Sequence, residues 1–148
     1  MSRPSIEPIG LQVSRTAKLL SRAFDDALVA AGGSLPMWLV LVSLKAQPHG
    51  MQRDLASAVG IEGPTLTHHL NRMETAGLLQ RSRDPDNRRV HRVELTAEGE
   101  AMFHRLRQAV MTFDRRLRDG ISADEIAALS AVLERLRRNV TEPTAVPT

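Results

Sequence analysis

The fold turns on one stretch, Arg83–Thr96, which reads RDPDNRRVHRVELT. Its centre, DPDNR at 84–88, is a turn signal, because Asp and Asn side chains accept hydrogen bonds from amides two residues on and Pro presets φ. The runs on either side, LLQRSR at 78–83 and VHRVELT at 90–96, place Leu79 and then His91, Val93 and Leu95 in alternation with polar partners. A period of two, over short runs bounded by such a turn, predicts a β-hairpin with one face on a core. Five arginines stand against two aspartates between Arg81 and Arg92, a local excess equal to the net +3 of the whole chain. A solvated loop is also charged, so what this finger touches depends on its neighbours.

Two short helices precede it. MQRDLASAVG at 51–60 ends at Gly60, and IEGPTLTHHLNRMETAG at 61–77 is opened by Pro64 and closed by Gly77. In the second, Leu66, Leu70 and Met73 fall at i, i+4 and i+7 and form a buried stripe, which leaves Thr65, Thr67, His68, Asn71, Arg72 and Thr75 facing outward. Of two adjacent histidines, His68 is expected outermost and His69 at the edge of the core. On an isolated helix such a face is ordinary solvated surface. Next to a basic hairpin it reads differently, as a helix-turn-helix with a wing. The polar face then meets base edges and phosphates in the major groove, and the hairpin tip reaches the adjacent minor groove, where arginine is drawn by concentrated negative potential. Arg88 and Arg89 at the tip are expected to insert, with Arg81, Arg83 and Arg92 nearer phosphates.

The rest of the chain reads as helix. LQVSRTAKLLSRAFDDALVAAGG at 11–33 carries a helical stripe through Leu11, Leu19, Leu20, Ala23, Phe24, Ala27 and Leu28 and stops at Gly32-Gly33. SLPMWLVLVSLKAQ at 34–47 offers Ser34 as a cap, Pro36 in the first turn and an apolar run from Met37 to Val42, the pattern of a helix buried all round. After the hairpin, Met102, Leu106, Val110, Phe113 and Leu117 share one face of a long helix. Ile126, Leu129, Leu133, Leu136 and Val140 share a face of another, behind a Ser122 cap with Glu125 as its box partner. Such helices need a surface to bury against, which the first helix and a symmetric second copy can supply; packing within one chain is the plainer alternative.

Composition excludes several mechanisms. The 148 residues are 42% hydrophobic and 25% charged, the make-up of one globular domain. The N-terminus MSRPSIEPIG lacks an apolar signal core, and no run approaches the roughly 18 residues that span a bilayer, so a cytoplasmic location is expected. With no cysteine there is no disulfide framework and no thiol redox sensor. Arginine supplies 18 of the 20 basic residues; a GC-rich coding sequence produces the same bias, but not its clustering. No Gly-rich phosphate loop, nucleophile elbow or tyrosine is present, so no enzyme and no cofactor are expected. The five histidines, His49, His68, His69, His91 and His104, include no pair at helical i, i+4 ligand spacing, so no metal site is expected either.

MWLVLVSL at 37–44, QRDLASAVGIEGPTLTHHLNRMETAGLLQR at 52–81 and DPDNRRVHRVELTAEGE at 84–100 together resemble the MarR-type winged helix-turn-helix transcription regulators, from about Leu11 to Val140. The wing followed by LTAEG is the most specific part. The resemblance implies a mainly α fold with a small β-hairpin wing, and a homodimer whose recognition helices enter successive major grooves of a pseudo-palindromic operator, half-sites about 34 Å apart. It also implies a repressor released by a small aromatic or phenolic ligand held between dimerisation helices and DNA-binding region. Trp38 is the candidate pocket wall and Arg15 the candidate carboxylate partner, against the plain alternative of a core tryptophan and a surface arginine. The expected organisation is an N-terminal arm at 1–10, a dimerisation helix at 11–33, the winged helix-turn-helix at 34–96, dimerisation helices at 97–140 and a disordered tail at 141–148. Two departures stand out. Asn87 replaces the aspartate the family commonly carries before the wing arginines, so an ion pair orienting the arginine is expected to be absent or built differently. HGM at 49–51 supplies no hydroxyl cap for the third helix, a loss of about 0.5–2 kcal/mol. The competing reading, a winged-helix module for protein or RNA, would use the same basic face without a palindromic duplex site.

Overall fold

Ser34 ends one helix connection and starts the next: its Oγ accepts from the Met37 amide at 3.3 Å, satisfying one of the four amides that a helix start leaves unpaired. A computed structural model describes residues 6–47 and 50–142, in the order α1 (Ile9–Ala30), α2 (Leu35–Ala46), β1 (Gly50–Met51), α3 (Gln52–Val59), α4 (Gly63–Thr75), β2 (Leu79–Arg83), β3 (His91–Leu95), α5 (Ala97–Arg118) and α6 (Ala123–Thr141). The mainly α reading with a β-hairpin is thus confirmed, with α1 starting at Ile9, inside the stretch read as an arm. His49, residues 1–5 and the tail from 143 lie outside the described residues, and Thr141, assigned to the tail, still belongs to α6.

The chain divides into two compact units at Met111 and Thr112. In the first, one core gathers Leu28 of α1, Val40, Leu41 and Leu44 of α2, Leu55 and Val59 of α3, and Leu66, Leu70 and Met73 of α4. Leu78, Leu79 and Val93 join it from the hairpin, and Leu106 from α5. The stripe read from α4 is the one buried. Gly60 ends α3 at φ 71°, a left-handed conformation that costs a side-chain-bearing residue strain and glycine none. The start of α3 has no side-chain cap, as HGM implied.

Three details differ from the sequence reading. The hairpin is part of a three-stranded antiparallel sheet, ordered β1-β3-β2, in which Gly50 pairs with Val93 and Met51 with Arg92. His91 does not face the core: it pairs with Arg83 at the far end of the hairpin and is exposed, because the strands outrun the core beyond Val93. Nor is α2 buried all round, since Val42 is 38% exposed.

The second unit holds the last turns of α5 and all of α6. Ser122 caps α6, its Oγ accepting from the Glu125 amide at 3.1 Å. No residue of α6 is buried, and Leu129, Val132, Leu133 and Val140 are exposed. Among the described residues no single helix is long and apolar enough to cross a membrane.

Candidate nucleic-acid interface

Successive residues of an α-helix lie 100° apart, so with Leu66, Leu70 and Met73 pinned inward, His68, Asn71 and Thr75 point most directly away from the core. Thr65 and Arg72 fall on one flank, Thr67 and Glu74 on the other. Thr65, His68, Asn71, Arg72 and Thr75 are exposed and His69 is half-buried, as the spacing predicts. Thr67 is the exception. It is half-buried, its hydroxyl donates to the Gly63 carbonyl at 3.0 Å and accepts from Gln52 Nε2 at 3.0 Å, so α3 and α4 are tied across their turn by the residue expected to point outward.

The arginines sort into two classes. Arg81 and Arg92 are engaged within the protein. Arg81, whose side chain is 19% exposed, lays Nε and Nη2 on the Glu74 carboxylate at 3.2 and 3.3 Å, and its amide donates to the same carboxylate at 3.0 Å. Its Nη2 also donates to Asn71 Oδ1. Arg92 reaches Asp84 through Nη2 at 3.3 Å, while its Nε is buried with no partner among the described residues. Arg83, Arg88 and Arg89, by contrast, are exposed and form no ion pair among the described residues. The free positive charge of the hairpin is therefore concentrated toward its tip.

The tip is shaped by short-range acceptors. Asp84 is buried and its carboxylate takes the Asp86 amide at 2.9 Å; Asn87 Oδ1 takes the Arg89 amide at 3.2 Å; the Asp84 amide donates to the Val90 carbonyl and the Val90 amide to the Asn87 carbonyl, both at 2.9 Å. At Asn87, where the family commonly has an aspartate, the amide oxygen sets the Arg89 backbone; no ion pair orients Arg88 or Arg89 among the described residues, and the hairpin's own ion pair joins Asp84 to Arg92. The Asp86 amide, helped by the Arg92 charge, holds the Asp84 carboxyl below the usual carboxylate range against the opposing effect of burial. Arg81 does the same for Glu74, first through its side-chain hydrogen bond. Because the Asp84 group is lowered on folding, its contribution is complete above about pH 4 and is lost as the pH falls through its lowered value. The Asp86 amide is accordingly expected to be protected relative to its intrinsic exchange rate at neutral pH and to lose that protection in acid, as the pH falls through the lowered value of Asp84, ahead of global unfolding. Equal protection at both would show that the carboxylate does not hold the turn.

Residues 34–91 match the MarR family model. A transcriptional repressor, CouR, solved bound to a 23-mer DNA duplex, superposes with a TM-score of 0.80 and 28% identity over 88% of this chain and 93% of its own. The PcaV transcriptional regulator from Streptomyces coelicolor does so at 0.74 and 25% identity over 86% and 96%; the same regulator has also been solved in complex with its natural ligand. A MarR mutant from E. coli complexed with operator DNA, at 23% identity and a TM-score of 0.77 over 91% and 99%, shares the fold. The chain is thus similar to MarR-family regulators, by the family model over residues 34–91 and by fold over most of its length. In this chain the two residues expected to hold a ligand are otherwise engaged. Arg15 is exposed and pairs with Glu7, and Trp38 lies flat on Phe103, ring centroids 5.6 Å apart and planes within 8°. Lys45 sits 5.4 Å from the same Phe103 ring and 2.9 Å from Glu100, completing a knot between α2 and α5. A cleft of about 370 Å³ lies against one flank of α4, lined by His69 and Arg72 together with Gly33, Ser34 and Met37. Among the described residues no three His, Cys, Asp or Glu side chains converge as a metal site.

Proposed function

We propose that this protein is a dimeric, sequence-specific DNA-binding transcriptional regulator, a repressor that leaves its operator when a small aromatic or phenolic ligand binds. The winged helix-turn-helix over 34–96 reads DNA, and the helices over 11–33 and 97–140 pair the two copies. The observation that carries this reading is the contrast within the hairpin. Arg81 and Arg92 brace it, whereas Arg83, Arg88 and Arg89 are left exposed beside an equally exposed polar face of α4. That division of labour suits insertion of the tip arginines into a minor groove while Thr65, His68, Asn71 and Arg72 face the major groove. The likeness to CouR, solved on a duplex, supports the same reading.

For the ligand, the known complex of PcaV supports a responsive regulator. The cleft beside α4 is within the size range of small-molecule sites, and Arg72 supplies the cation that a carboxylate needs. Arg15 and Trp38 are the weaker assignment, given their existing partners. A ligand in that cleft contacts the recognition helix itself, so it acts by favouring an arrangement of the two DNA-binding units that does not fit the operator.

Selection of bound sequences from random duplexes is the deciding experiment. A two-fold symmetric motif is expected, with affinity falling steeply as salt rises. Preference for RNA, or no duplex enrichment, would favour the protein- or RNA-binding alternative. On the selected duplex, Arg89→Ala is expected to weaken binding by about 1–3 kcal/mol in a gel-shift titration and to leave the dimer intact. Unchanged affinity would remove the wing from the interface.

A further inference from the structure

We propose that Arg81 fixes the polarity with which Asn71 meets a base, so that Asn71 presents hydrogen-bond donors only and selects a keto base, guanine or thymine, over adenine or cytosine. The inference rests on the DNA-reading function proposed above and goes one step further, to what one position of the operator contains.

An asparagine amide is ambiguous by itself: one edge accepts, the other donates, and rotation by half a turn about its last bond exchanges them. A guanidinium removes the ambiguity, because it has five N–H donors and no acceptor. Whichever amide atom faces it must be the oxygen, and Asn71 Oδ1 is the atom that Arg81 Nη2 reaches. Arg81 is held in place if the amide turns, because Glu74 takes its Nε and Nη2 and also its backbone amide. The anchor is thus a strand residue clamped by a carboxylate from the same helix as Asn71, seven residues before Arg81 and one turn after Asn71.

The amide is planar, so fixing the oxygen toward the Arg81 flank fixes the NH2 group away from it, onto the exposed side of α4 where Asn71 and His68 project. The positive charge on Arg81 also polarises the amide and strengthens its N–H groups as donors. Asparagine ordinarily reads adenine with both atoms, the oxygen accepting from N6 and the nitrogen donating to N7. With the oxygen turned back to Arg81, that pairing is broken. What the NH2 group meets best is a base whose own major-groove edge carries acceptors and no amino group: guanine through O6 and N7, or thymine through O4. Adenine and cytosine place an exocyclic amino group at the same point.

The test is selection from random duplexes with three purified proteins checked for unchanged circular dichroism: the natural chain, Asn71→Asp and Arg81→Met. The natural chain is expected to show, in each half-site, one position favouring G or T over A or C on the order of tenfold. Asn71→Asp keeps the bond to Arg81 but exposes an acceptor, so the same position alone is expected to change to C or A. Arg81→Met frees the amide, and adenine is expected to become accepted there. A general loss of affinity with the base profile unchanged in both variants would overturn the proposal and leave Arg81 a mere brace for the wing. So would an adenine in the natural site at the position that Asn71→Asp alters. Failure of the natural chain to enrich any motif would overturn the DNA reading itself, and this inference with it.

Discussion

Gly99→Ala is expected to lower the unfolding free energy by about 3 kcal/mol, the upper end of what overpacking costs, and to drop the melting midpoint on the order of 10 °C. A methyl group at this position would lie 1.9 Å from the Leu78 carbonyl oxygen and 3.0 Å from its carbon. Both atoms are backbone, so no rotamer change relieves the clash. Nor is the carbonyl free to retreat, because it accepts from the Thr96 amide at 3.1 Å. Gly99 is pinned in turn, its amide donating to Thr96 Oγ1 at 3.1 Å, while the same hydroxyl donates to the Gly77 carbonyl. Thr96 and Gly99 thus lock the first turn of α5 against the point where α4 gives way to β2, and separation at that point shifts the hairpin on its base. Gly63→Ala is the control. It also sits in the first turn of a helix but has open space around it, and a change within about 0.5 kcal/mol is expected. A urea titration in which the two alanine variants unfold alike would refute the clash argument.

The same locus shows how far residues in order reveal a structure. LTAEG was the most specific fragment of the resemblance, and its threonine and glycine are explained by contacts no local pattern contains: a cap reaching back nineteen residues and a close approach between backbones. Features generated by local chemistry were legible. The stripe Leu66, Leu70, Met73, the Ser34 and Ser122 caps and the turn at Gly60 each follow from a spacing of four residues or fewer. Features generated by register were not. Arg92 meets Asp84 only because the hairpin pairs Ser82 with Arg92 and Arg83 with His91, and Arg81 meets Glu74 only across the turn that leads from α4 into β2; charges in a row do not state who faces whom. A signal for Asp84 did exist. An aspartate that opens a turn ahead of proline habitually accepts from the amide two residues on, and Asp86 is that residue. The strand β1 left no signal, since two residues cannot display a period.

Placing Glu at 129 and Lys at 133 is expected to convert the protein from dimer to monomer and to weaken operator binding by about two to four orders of magnitude. Leu129, Val132 and Leu133 are 51%, 52% and 41% exposed on α6, and Val140 is 83% exposed. Apolar side chains repeated at helical spacing along one helix, none of them buried, suit the pairing of two copies proposed above. Because these positions are exposed in the single chain, Leu129→Glu and Leu133→Lys remove little from its own stability. The two new charges also form a favourable i, i+4 pair in the better orientation, so α6 itself is not weakened. In a two-fold interface each substitution occurs twice and desolvates four charges where leucines met. A monomer retains one recognition helix and one wing and therefore the contacts of one half-site. What it loses is the second binding event made nearly intramolecular by the first, so the deficit appears as a collapse of affinity for the full operator with little change for an isolated half-site. Light scattering reads the mass and a gel-shift titration the affinity. A variant that remains dimeric would place the seam on other helices; a monomer that binds the full operator as tightly as before would mean that one copy suffices, against the paired reading on which the symmetric site depends.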